Sequence, residues 1–569
     1  MIGALITTGL SFVLALSFII IIFLKHKPKA NKVKQSFILL LVIFILFFVN
    51  IYVIMPSIIV PNMLVLNLIT AAITLPLIYL LLTGGKATIK ARYSRFFIIV
   101  GLLILAVPAT YLYGIFSLDN VHDSIKTEEK DQAEPLSKDD TPIAVAPESA
   151  RNKMQKAMSV VPNPQFYDLG KLQVQKIKED IVYVAPLEFT GFWKFVRGQE
   201  TEGYFTISAT NVNAQPEFIS NKMQYTNSSY FHKNVQRVIY DKYPHYVQSG
   251  EAQIEVDEDG KTWYVQTLYK TLTITDKPNL NDLKVAVVDP NSGEVSLYDT
   301  EEAPAFIEGS VSSEIASLQN EYYGKYVHGW FNSKFGKKDV RIPNESGTEK
   351  SVTPVFGENG EMYYFTDMTS PKENIDSALG YTMIHARTGE LTYFNGEMNN
   401  GIMDSEGAKQ IVNKEFPEKN WEGSMPILYN IDGNATWVVN VLDPNGLFKK
   451  YAYINAADSD FVVFGETANQ TLKNYRIALQ QNPGFVNSSD GAEIVKVEGE
   501  IDRVLVSTSD NIQIVQFILK NDPIIYTVNT TIEPKAIFLN KGDTVNMEVK
   551  IRDGATGSVE SIEIKGLTD

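Results

Sequence analysis

Apolar residues fill almost every position of four stretches near the start of the chain, roughly Gly3–Leu24, Ser36–Met55, Met63–Leu82 and Phe96–Phe116. About 20 apolar residues in helix cross about 30 Å of hydrocarbon, so these runs predict four membrane helices. Pro76 and Pro108 fall inside two of them, which membrane helices tolerate when neighbours satisfy the freed carbonyls. Beyond Ser149 the pattern changes to short periodic segments. FHKNVQRVIYDKYP (Phe231–Pro244) puts Phe231, Val235, Val238 and Ile239 on one helical stripe. SEGAKQIVNKEFP (Ser405–Pro417) does the same with Ala408, Ile411, Val412 and Phe416, after a capping Asp404 or Ser405, and SSEIASLQNEYYGKYV (Ser312–Val327) is a middle copy. This i, i+3, i+4, i+7 spacing predicts helices that each cover a sheet.

A strand pair follows each helix. AQIEVDEDGKTWYVQTL (Ala252–Leu268), TPVFGENGEMYYFTDM (Thr353–Met368) and PILYNIDGNATWVVNVL (Pro426–Leu442) alternate apolar and polar residues around a DG, NG or similar turn, a strong hairpin signal. A second hairpin is then written three times: VVDPNSGEVSLY (Val287–Tyr298), MIHARTGELTYF (Met383–Phe394) and YINAADSDFVVF (Tyr453–Phe464). Laid on one another without a gap, they align Glu294, Glu390 and Asp460, with Gly293, Gly389 and Ser459 as the equivalent turn positions.

The expected architecture is therefore multidomain. Residues 1–117 form a four-span α-helical membrane region, 118–149 an acidic flexible linker, and 150–222 a degenerate α+β domain. Three α+β units of helix plus antiparallel sheet follow at 223–308, 309–400 and 401–480. An all-β barrel occupies 489–569.

Charge sharpens this division. No Asp or Glu occurs from Met1 to Ser117, which carries nine Lys/Arg, whereas the net charge of the whole chain is -15. The basic loops Lys25–Lys34 and Lys86–Arg95 alternate with the uncharged joint Met55–Asn62. The positive-inside rule then predicts a multi-pass protein of the bacterial cell membrane, with the N-terminus and the large C-terminal region extracytoplasmic. The absence of cysteine suits a Gram-positive surface.

The turn written V-D-x-x-[ST]-G-E-[VI], clearest in VVDPNSGEV and next in IHARTGEL, resembles the PepSY domain. INAADSDF departs from it, with Ser459 for the glycine. The resemblance covers about half the chain and implies a non-catalytic fold of the kind found in bacterial proteins that regulate wall hydrolases or proteases. The family brings no catalytic residues and does not usually carry four spans. The last segment, with KGDTVNMEV, resembles an OB-fold barrel. Such barrels often bind nucleic acid. From Asp490 onward, however, this segment holds 14 acidic against 8 basic residues, a balance that repels phosphates.

Chemistry is sparse. The six histidines offer no metal pair on one helix, and there is no cysteine nucleophile. His385 stands where the sister hairpins have Asp289 and Asn455, a structural position. DGKT (Asp259–Thr262) lacks the upstream glycine of a P-loop. EVDEDG (Glu255–Gly260) starts like a calcium loop but has Gln266 at its twelfth position, and is expected to be a turn. No catalytic, cofactor or metal residue is assigned.

The stretch EFTGFWKFVRGQ (Glu188–Gln199) crowds aromatics around two cations. One reading places it in the core of its domain. The sharper reading makes Phe192, Trp193, Lys194 and Arg197 a partner-contact patch. Taken together, the sequence predicts a membrane-anchored binding or scaffold protein, not an enzyme, that regulates or organises a wall hydrolase, a protease or envelope assembly. Its expected partners are the membrane, an envelope protein or a wall polymer, not nucleic acid, and self-association is left open. The alternative is an enzyme or binder acting on cell-wall glycans. Transport is disfavoured because the expected spans hold no charged residue.

Overall fold

The structure, a computed structural model, describes residues 29–59, 112–131 and 145–569, apart from 179, 273–276, 358, 373–376, 397–400, 482–493, 510–511, 531, 553–555 and 568–569; a few positions between 16 and 20 and between 101 and 109 are also described. By content it is mainly β, 40% strand against 29% helix. Among the described residues no helix is long and apolar enough to cross a membrane. This corrects the expected four-span helical region, the multi-pass membrane location and the sidedness built on it. Three of the expected spans lie mostly outside the described residues. The remaining one, the second in chain order, Ser36–Met55, falls in helix α1 (Ala30–Ile54) apart from its last residue. The end of α1 and the residues after it are tied by polar contacts to an α+β unit. Arg237 lies 3.7 Å over the Tyr52 ring and donates to the Tyr52 carbonyl at 2.8 Å. The Tyr240 hydroxyl donates to the Pro56 carbonyl (2.8 Å), and the Ile58 N–H to the Pro244 carbonyl (2.6 Å).

The chain divides into two compact units. One holds Met1–Glu128, Pro147–Ile375 and Tyr381–Tyr393, and the other Glu129–Ala146, Asp376–Gly380 and Phe394–Asp569. The strands are β1 (Thr127–Lys130), β2 (Tyr167–Leu169), β3 (Gln173–Ile177), β4 (Asp180–Phe189), β5 (Thr201–Ser208), β6 (Glu217–Met223), β7 (Val247–Gln248), β8 (Gln253–Val256), β9 (Thr262–Thr271), β10 (Pro278–Val288), β11 (Val295–Asp299), β12 (Ile342–Pro343), β13 (Thr353–Phe356), β14 (Met362–Thr369), β15 (Ala378–His385), β16 (Leu391–Phe394), β17 (Glu422–Ile431), β18 (Asn434–Leu442), β19 (Phe448–Asn455), β20 (Val462–Gly465), β21 (Ile494–Ser509), β22 (Ile512–Leu519), β23 (Ile525–Asn529), β24 (Thr544–Arg552) and β25 (Thr556–Ile564). They form one sheet ordered β2-β4-β5-β6 with β3 on β4, and one ordered β11-β10-β9-β7 with β8 on β9. A third runs β1-β16-β15-β14-β12 with β13 on β14, a fourth runs β17-β18-β19-β20, and a closed barrel runs β21-β22-β23-β25-β24. The helices that matter below are α2 (Phe192–Gly198), α3 (Val235–Lys242), α4 (Ser313–Lys325) and α5 (Ser405–Glu415). Each of the last three starts at a side-chain cap. Asn234 accepts from the Arg237 N–H, Ser312 from Ile315 and Asp404 from Gly407.

The β7–β11 sheet is buried on both faces. Alternation along β8 and β9 sends Ile254, Val256, Tyr264 and Leu268 against Val235 and Ile239 of α3. On the opposite face Val265, Val285 and Val287 pack under Ala303 and Ile307. These last two belong to a strap, Ala303–Val311, that leads from this sheet to α4. In the barrel, 16-residue β21 pairs with β24 along its first half and β22 along its second. Phe517, Tyr526, Val545, Met547 and Val549 fill the interior.

The thrice-written hairpin has one chemistry and two lengths. In the first copy the Asp289 N–H donates to the Glu294 carbonyl, and Asp289 Oδ1 accepts from the N–H groups of Asn291 and Ser292. In the second the His385 N–H donates to Glu390, and His385 Nδ1 accepts from Arg387 and Thr388, each at 3.2 Å. In the third Asn455 Oδ1 accepts from Ala457, but the Asn455 N–H donates to Phe461, one residue later than the gapless alignment implies. Gly293 and Gly389 sit at φ +72 and +76, whereas none of Asn455–Phe461 has a positive φ. Without a glycine the third turn avoids left-handed backbone by spending one more residue. The position is thus filled by an acceptor aimed two residues ahead, and Asp, His and Asn all serve.

Candidate docking surface

The residues of Glu188–Gln199 fold as the end of β4, a bend and the short helix α2. Gly191 makes the bend at φ +145, a conformation that L side chains rarely adopt. Gly198 lets the helix lie on β4, because a Cβ there would meet Phe189 Cε1 at 2.7 Å. Phe195 is the buried anchor. Its ring meets Phe189 edge-on at 5.6 Å and Tyr230 at 5.6 Å. Phe192 bridges outward, with its centroid 5.2 Å from Trp193, 5.2 Å from Tyr230 and 6.0 Å from Phe231.

The outer members of this cluster face solvent. Trp193 is 73% exposed and Phe231 55%, and Val196 and Tyr230 are also exposed. Phe231 has φ +56. A bulky residue in left-handed backbone is an outlier that costs about 1–3 kcal/mol and persists only where its surroundings over-determine it. The surroundings here are a tightly bonded turn. Val235 N–H donates to the Thr226 carbonyl (3.2 Å), Asn234 Nδ2 to the Asn227 carbonyl (2.7 Å) and Asn227 Nδ2 to the Ala252 carbonyl (2.7 Å).

Glu188 joins this turn to β4. Its Oε2 accepts from the Ser228 N–H at 3.0 Å and from the Ser228 hydroxyl, and its Oε1 accepts from the Tyr264 hydroxyl at 3.2 Å. Burial pushes the Glu188 carboxyl above its ordinary range, and these donors pull the other way. The Ser228 hydroxyl in turn accepts from the Phe189 N–H at 2.7 Å. One carboxylate therefore fixes both arms of the aromatic ledge.

Of the four residues marked from sequence, Trp193 and Arg197 are exposed. Phe192 is half-buried and links the rings, and the Lys194 ammonium bonds the Thr190 hydroxyl. Sequence reasoning missed Val196, Tyr230 and Phe231, and it placed Phe231 on the apolar stripe of the following helix. The helix starts only at Val235, after its Asn234 cap, so Phe231 stands outside it. The N-cap asparagine was the available signal.

The Asp257–Lys261 turn consumes its own acceptors. Asp257 Oδ1 accepts from the N–H groups of Asp259 and Lys261, and Oδ2 from Trp263 Nε1. Among the described residues no group of three or more His, Cys, Asp or Glu is placed to hold a metal ion.

No family model and no curated protein matches the sequence. Among solved structures, a glycoside hydrolase aligns over 71% of this chain and 91% of its own at 9% identity, with a TM-score of 0.18. A B. megaterium levansucrase aligns over 76% of this chain and 99% of its own at 11% identity, with a TM-score of 0.17. Likeness at this level carries no argument about fold or activity.

Proposed function

We propose that the chain is a binding or scaffold protein that holds a protein partner on the ledge formed by Phe192, Trp193, Val196, Tyr230 and Phe231, with Arg197 at its margin. The observation that carries this reading is Phe231, an aromatic ring kept in solvent on left-handed backbone. A ring held in solvent on strained backbone, next to Phe192 and Trp193, is the kind of rigid, clustered aromatic that anchors protein interfaces. The matching partner surface is an apolar pocket with an acidic rim that meets Arg197. The resemblance of the repeated hairpins to PepSY units suits a hydrolase or protease as the partner. The test is capture from extracts of the source organism on the immobilised full chain. A single recovered protein, lost about tenfold or more with Trp193→Ala, supports the proposal. Equal recovery by wild type and the Trp193→Ala, Phe231→Ala double variant overturns it.

A further inference from the structure

The strap Ala303–Val311 is pinned from two directions. From the β12–β16 side, the Arg387 guanidinium donates to the carbonyls of Glu301 (3.4 Å), Pro304 (3.4 Å), Ile307 (3.0 Å) and Ala303. The Val311 N–H donates to the Ala386 carbonyl at 2.8 Å, and the Tyr364 hydroxyl to the Val311 carbonyl at 2.9 Å. From the other side, the Thr267 hydroxyl donates to the Ser310 carbonyl (2.8 Å) and the Lys176 N–H to Glu308 Oε2 (2.7 Å).

Beneath the strap lies Glu255, wholly buried on β8, with no side-chain donor on either carboxylate oxygen among the described residues. Gly309 crosses above it. A Cβ at Gly309 would lie 3.7 Å from Glu255 Oε1 and 3.3 Å from Gln253 Oε1. Glu255 on the sheet is thus wholly buried and Glu308 on the strap partly buried, and charging both carboxyls there is costly.

We propose that the strap is a proton-controlled latch, held most firmly while Glu255 and Glu308 both carry protons and loosened step by step as they ionise. Burial pushes Glu308 up to about 7. Burial, and then the charge of Glu308, holds Glu255 well above the carboxylate range, against the pull of the Gly309 N–H. The other groups around the pair are Lys176 of β3, which favours the charged form of Glu308, Tyr364 of β14, which feels Glu255, and Arg387, bonded to the strap carbonyls. Opening the strap returns both carboxyls to water, where they ionise near pH 4.3 (about). Between that value and about 7 the closed form binds more protons than the open form. Closure therefore weakens as pH rises through this window, as Glu308 ionises, and goes on weakening above it for as long as the closed form keeps the Glu255 proton.

Hydrogen exchange of the full chain, corrected for intrinsic rates, reads this directly. Protection of the Lys176 and Val311 amides is expected to fall by about tenfold or more between about pH 5.5 and 7.5. Glu308→Gln and Glu255→Gln should each flatten that profile. Thermal unfolding first establishes that each variant folds, and if one does not, the other carries the same test. A flat wild-type profile overturns the latch, as does an unchanged slope in a folded glutamine variant.

Discussion

Two turns of this protein bend through left-handed backbone with opposite means. At the first thrice-written hairpin the residue is Gly293, at φ +72, pressed against Tyr225. At the ledge it is Phe231, at φ +56, with its ring in solvent. Glycine is the cheap way to reach this conformation, and the hairpin uses it where only the backbone matters. The ledge carries a phenylalanine at the same kind of position and accepts the strain. The difference teaches that the hairpin is built for the fold, whereas the ledge keeps a side chain in place at the expense of the fold.

The largest effect should come from filling the glycine. Gly293→Ala adds left-handed strain and puts a Cβ 2.5 Å from the Tyr225 ring, so a loss of about 3 kcal/mol is expected in urea unfolding. Gly389→Ala shares the strain, but its nearest new contact is Val311 Cγ2 at 3.5 Å, and about 1–2 kcal/mol is expected. Equal losses would show that crowding at Tyr225 is relieved freely. Next comes Phe231→Gly, which should raise stability by up to about 1 kcal/mol while weakening partner capture. A stability loss there would mean that the ring supports the fold, and the contrast with Gly293 would collapse. Smallest of all is Ser459→Gly. The longer third turn has no left-handed residue to relieve, so a change within about 0.5 kcal/mol is expected.

How far the sequence was legible follows from the range of the forces involved. Hairpins and helix starts are set by neighbouring residues, so the DG turn at Asp259–Gly260 and the Asp404 cap are visible in the order of side chains. The aromatic run at Phe192–Phe195 was visible as composition. Its other half, Tyr230 and Phe231, comes from a turn far along the chain, brought in by Glu188 and Ser228. No local pattern announces a carboxylate that ties two turns together. The third hairpin slipped by one residue for a similar reason, since a missing glycine changes turn length without disturbing the alternation on either side. Apolar density misled most at the N-terminal end. It measures transfer into a dry phase and does not say which phase.

The closed barrel gives every one of its strands two hydrogen-bonded neighbours, the last pairing being the short parallel contact of β23 with β25. Among the described residues the other sheets are open, and β17 and β20 are the border strands of one of them. Should copies of this chain ever join by exchanging or adding strands, the growth would run along those open borders. The barrel would be carried as an inert bead that offers no ladder to a newcomer.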